Sequence, residues 1–88
     1  MEIKEIEQKI IEIFISNCGY YFEIDPELFI DKIDKWATPL NPYHYDLYNK
    51  IVKCIENMKI KKYIERKNYK ISMSLGGLWY YHNLKNEK

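Results

Sequence analysis

Apolar positions recur at three- and four-residue steps through most of the first sixty residues, and then the rhythm changes. Ile3, Ile6, Ile10, Ile13 and Phe14 set that spacing over about residues 2–17, which predicts an amphipathic first helix. Glu5 and Lys9 sit one turn apart on its other face, a pair worth about 0.3 kcal/mol. Asn17-Cys18-Gly19 ends it, with Gly19 suited to a left-handed cap. Tyr20-Tyr21-Phe22-Glu23-Ile24 has high β propensity and predicts one short strand. Asp25-Pro26-Glu27 reads as the start of a second helix: an oxygen acceptor, a pre-set φ, and an acid near the positive helix end. Phe29, Ile33, Trp36 and Ala37 would give that helix one buried face, and Pro39 stops it at Thr38. Asn41-Pro42 repeats the signature and opens a third helix to about Asn57, with Leu47, Tyr48, Ile51, Val52, Ile55 and Met58 as its core stripe.

Beyond Met58 the period becomes two. Ile60 and Ile64, then Tyr69, Ile71, Met73 and Leu75, alternate with polar residues on either side of Lys67-Asn68, a tight-turn dipeptide. These predict a hairpin over 59–75. Gly76-Gly77 reads as a second turn, and Leu78-Trp79-Tyr80-Tyr81-His82 as a third antiparallel strand over 78–83. Three strands packed on helices are more stable than a lone hairpin. A loop or short helical tail docked on the core is the rival reading of 78–84. The expected fold class is α+β: three helices followed by a small antiparallel sheet. At 88 residues the chain is expected to form a single domain, 1–88.

The helix and strand IIEIFISNCGYYFEI, the helix DPELFIDKI, and the helix and hairpin YNKIVKCIENMKIKKYIERKNYKISMS together resemble the winged helix-turn-helix superfamily over roughly residues 5–75. The linker TPLNP is longer than the tight turn usual there, and the segment after Leu75 is additional. The resemblance implies a small, non-catalytic DNA-binding regulator, repressor-like and able to form a homodimer. Its third helix would enter the major groove of double-stranded DNA, and its hairpin would touch the backbone. Asn49, Lys50, Lys53 and Asn57 would then face base edges, with Asp46 an unfavourable neighbour paired to Lys50. Lys61, Lys62, Arg66, Lys67 and Lys70 of the hairpin would meet phosphates.

Charge changes the picture less than its total suggests. The formal net charge is +1. Residues 1–43 carry four Lys against nine acids, whereas 44–88 carry ten Lys or Arg against four. That polarity suits a nucleic-acid partner for the second half. Thirteen of the fourteen cations are Lys, and Ile, Asn and Tyr are abundant too. An AT-rich coding sequence, as in low-GC bacteria, their phages and some eukaryotic viruses, produces the same bias without any ligand.

Nine Tyr and two Trp open an alternative: a phage- or virus-encoded interaction module that inhibits a host or defence protein. Tyr43, Tyr45, Trp79, Tyr80 and Tyr81 would carry that interface. Catalytic chemistry has little footing. His44, His82, Cys18 and Cys54 show no metal-ligand spacing, and Gly76-Gly77 opens no phosphate loop. Asp31 and Asp34 lie on an ordinary polar helix face. No enzyme activity, metal or other cofactor is expected. The two cysteines read as buried thiols in a reducing compartment. With no apolar run near the ~20 residues of a membrane span and no secretion-signal layout, a cytoplasmic location without membrane contact is expected.

Overall fold

Two helix starts are built as their sequences dictate. Asp25 Oδ1 accepts from the Glu27 N–H (3.0 Å) and Asn41 Oδ1 from the Tyr43 N–H (2.9 Å), each followed by a proline where no N–H is needed. In a computed structural model of the chain, which describes residues 2–16, 25–67 and 70–86, these caps open α2 (Pro26–Ile33) and α3 (Pro42–Ile60). α1 (Ile3–Ser16) precedes them. An antiparallel hairpin of β1 (Ile64–Lys67) and β2 (Lys70–Met73) follows, and α4 (Leu75–Asn86) is the last described element. Among the described residues the fold is α+β, four helices with one two-stranded sheet. The strand expected over 20–24 and the Gly19 cap lie outside the described residues.

α1 is the hub, packing against α2, α3, α4 and β2. Its Ile6, Ile10, Ile11 and Phe14 are fully buried against Phe29 and Ile30 of α2 and Leu47, Ile51, Cys54 and Met58 of α3. The Phe14 and Phe29 rings meet at 5.8 Å in a tilted pair. Ile64 and Ile71 extend the same core under the hairpin. Each such aliphatic or aromatic side chain contributes about 1.5–3 kcal/mol relative to exposure. The core takes Ile6, Ile10 and Phe14 of the expected α1 stripe and adds Ile11, with Ile3 and Ile13 only half-buried; on α3 it adds Cys54 and His44, with Tyr48 and Val52 only half-buried.

Three sequence expectations are corrected. The first concerns 78–83, which is helix within α4 and not a third strand; Gly76 and Gly77 lie in its first turn rather than between strands. Ser74 caps it: its hydroxyl oxygen accepts from the Gly77 N–H (3.1 Å), and its carbonyl receives the Leu78 N–H (3.0 Å). Position 77 must be glycine because a side chain there would overlap the Tyr63 carbonyl and the Met73 methyl, whereas position 76 has no such constraint. The helix lies that close to the chain leaving α3.

The second correction is the junction at Met58. α3 runs on through Lys59 and Ile60, so β1 begins only at Ile64 and Ile60 is 75% exposed instead of inward-facing. A Schellman closure ends the helix: Lys62 N–H donates to Lys59 O (3.1 Å) and Tyr63 N–H to Met58 O (2.8 Å), with Lys62 at φ 60°. The third is the end of α2. Asp34 Oδ1 accepts from the Trp36 N–H (2.9 Å), a local turn that competes with the helix and stops it at Ile33. Trp36 is thereby left 86% exposed, whereas Ala37 is buried as expected.

Candidate functional site

The outward side of α3 carries Asn49, Lys53 and Asn57, all exposed as the sequence implied. Lys50 is only partly exposed, because its Nζ reaches Asp46 Oδ2 one turn back (3.2 Å). Lys50 is thus committed to an ion pair. Glu56, also exposed, lies among these residues, so the face is mixed rather than uniformly basic.

The helix end adds more cations than the sequence reading gave it. Lys59, Lys61 and Lys62 cluster at the Schellman closure, next to the partial negative charge of the last carbonyls. That dipole favours them there irrespective of any ligand. Lys62 adopts a left-handed backbone that costs a lysine about 1–2 kcal/mol. Ser74 braces the turn, its hydroxyl donating to the Lys62 carbonyl (2.6 Å) while its N–H donates to Tyr63 O (2.8 Å).

The hairpin then divides its charges. Register pairs Ile64 with Met73, Glu65 with Ser72, Arg66 with Ile71, and Lys67 with Lys70. Arg66 therefore shares the face of Ile64, Ile71 and Met73 yet is exposed, while Lys70 stands on the other face with Glu65. Of Lys67 only the backbone is described. Lys53, Lys59, Lys61, Lys62 and Arg66 are exposed and make no ion pair with any described residue. Lys59 was not among the cations that the sequence pattern singled out.

The aromatic candidates separate as well. Tyr45 and Trp79 are exposed, but Tyr43, Tyr80 and Tyr81 are half-buried against the core. Tyr80 stacks on Tyr63 (centroids 4.7 Å apart), and Lys85 Nζ sits 5.3 Å from the Tyr81 ring centre. Burial, followed by the Asp34 carboxylate, raises the Tyr43 phenol above its ordinary range. Trp36 and Leu40 (86% and 96% exposed) flank the turn between α2 and α3 and carried no sequence signal of exposure. That turn is held firmly: Asn41 Nδ2 donates to Trp36 O (3.2 Å) and His44 Nδ1 donates to Ala37 O (2.9 Å).

His44 and Cys54 are structural. His44 is buried, and its Nε2 lies 3.1 Å from Glu27 Oε1, so one ring ties α2 and the following turn to α3. The Ala37 carbonyl first, and the Glu27 carboxylate after it, raise its pKa against the lowering effect of burial. Burial and then Glu7 push the Cys54 thiol up to about 12, which makes it an inert core group. Among the described residues no three His, Cys, Asp or Glu converge to hold a metal ion, and no helix is long and apolar enough to cross a membrane. Cys18 lies outside the described residues.

No protein-family model matches this chain, and neither the curated proteins nor the solved structures contain a significant match to it.

Proposed function

We propose that the protein binds double-stranded nucleic acid in the manner of a winged helix, with α3 toward the groove and the α3–β1 turn and hairpin on the backbone. The reading rests on one observation: Lys53, Lys59, Lys61, Lys62 and Arg66 are exposed and unpaired among the described residues. Asn49 and Asn57 add base-edge chemistry on the same helix. Lys50, spent on Asp46, contributes less than the sequence pattern implied.

Four to six phosphate contacts from the turn and hairpin give a log–log salt slope of about −4 to −5 in a titration against duplex DNA. Lys53→Glu is expected to abolish that binding with an unchanged melting temperature, because Lys53 is exposed. Binding that ignores salt, or no binding to any duplex at about 50–100 mM salt, would remove the proposal.

A second reading, inhibition of a host or defence protein, is favoured by Trp36 and Leu40. A braced turn presents both to solvent, and pre-organised aromatic anchors are the commonest protein hot spots. Affinity capture yielding one stoichiometric protein, lost on Trp36→Ala and insensitive to nuclease, would select this reading over the first.

A further inference from the structure

We propose that His44 is a proton-operated latch between α2 and α3. Charged, it ties both the first turn of α2 and the turn after α2 to α3; on losing its proton it lets go of α2 alone. The inference rests on neither reading of the function, since the tie lies inside the α2–α3 pair. Both ring nitrogens point at acceptors: Nδ1 at the Ala37 carbonyl (2.9 Å) and Nε2 at the Glu27 carboxylate (3.1 Å). Only the doubly protonated ring has a hydrogen for each. A neutral imidazole keeps one N–H, and its other nitrogen then aims a lone pair at an oxygen. The ring is buried, so water has no ready access to relieve that clash.

The two bonds are unequal, and the inequality decides which one breaks. Ala37 is buried, and a carbonyl left there without a donor keeps the full cost of its lost hydration. The Glu27 side chain is 54% exposed, so its carboxylate can turn into water. The neutral ring is accordingly expected to hold Nδ1–H on Ala37 O and to release Glu27. Once released, Glu27 still sits in the first turn of α2, where negative charge suits the helix end, and Asp25 still caps that turn. α2 therefore stays helical when it lets go. It has eight residues, of which only Phe29 and Ile30 are fully buried, so one charged hydrogen bond is a sizeable part of its anchorage.

The groups around the ring set the direction of the switch. The Ala37 carbonyl, from the turn, acts most strongly; Glu27 and then Asp31, both on α2, also favour the charged ring. Tyr45, on α3, meets the ring edge-on at 5.7 Å. Burial opposes these groups, as does the positive end of α3 on which His44 stands, but the acceptors prevail and the pKa is raised. The latch is thus closed below the ordinary histidine value near ~6.5 and opens as pH rises through the higher folded-state value.

Nitrogen-15 NMR of the His44 ring, combined with native-state amide exchange on the full chain, tests the latch. Both ring nitrogens should carry protons at about pH 6, and the neutral ring at about pH 8.5 should be the Nδ1–H form. Amides of α2 should open without help from denaturant, at a lower free energy than those of α1. Their protection should fall about threefold to tenfold between the two pH values, the range for one half-exposed charged hydrogen bond. In Glu27→Gln the side-chain amide accepts from the charged ring and donates to the neutral one, so α2 protection should then hold within about twofold. Position 27 is exposed, so that variant should fold. A ring already neutral at pH 6, an Nε2–H form at pH 8.5, α2 amides that share the protection of α1, or a fall that persists in Glu27→Gln would each overturn the latch.

Discussion

His44 has no metal-ligand spacing in the sequence, and its role follows only from its neighbours in the fold. Folded, it is buried, and both ring nitrogens face oxygen acceptors, Ala37 O and Glu27 Oε1. That arrangement favours the doubly protonated ring and lifts its pKa above the ordinary value near ~6.5. The stability it adds is complete below the unfolded-state pKa and disappears as pH rises through the higher folded-state pKa. Thermal melts should therefore show a lower melting temperature at pH 8.5 than at pH 6. Glu27→Gln should flatten part of that fall and His44→Gln all of it. An unchanged slope in His44→Gln would mean that other groups set the pH dependence. At Lys62 the backbone, and not the side chain, is the surprise: a lysine holds the left-handed cap position that glycine usually takes.

At the scale of elements, the junctions carry more of the organisation than the strands do. The α3 closure, the start of β1, the end of β2 and the start of α4 meet at Ser74, which bonds to Lys62, Tyr63 and Gly77 together. α4 can approach this knot only because position 77 lacks a side chain. Gly77→Ala should cost about 1–3 kcal/mol through overlap with Tyr63 O and the Met73 methyl. Its neighbour is the control. A Cβ at Gly76 makes only ordinary contact with Ser74 Oγ (3.7 Å) and Tyr63 Cδ1 (4.0 Å), so Gly76→Ala should hold or gain up to about 1 kcal/mol from helix propensity. Denaturant midpoints measured side by side would decide it, and equal losses in the two variants would contradict this packing. The same element explains a misreading. Leu78–His82 is aromatic enough to suit a strand, yet 77, 80, 81 and 84 on one side and 75, 78, 79 and 82 on the other are both helical stripes.

Across the whole molecule, two surfaces of different chemistry emerge. The α3–hairpin side is rich in exposed cations, and the outer side of α4 is apolar and nearly uncharged. A tenfold rise in salt is expected to weaken duplex binding by about 10⁴-fold or more. What the chain determined by itself is local. Asp25-Pro26 and Asn41-Pro42 start α2 and α3, apolar periodicity marks most of the buried faces of α1 and α3, and the alternating run after α3 makes a hairpin. These rest on backbone sterics and on periodicity, which neighbours along the sequence suffice to express. The tertiary structure alone decided that 75–86 coils, that Trp36 faces water, and that Lys59 joins the cations of the α3 end. The first of those depends on a gap beside Tyr63 and Met73 into which only a glycine-faced helix fits. The other two follow from helix ends a few residues away from where periodicity placed them, and a shift of two or three residues turns a side chain from the core to solvent.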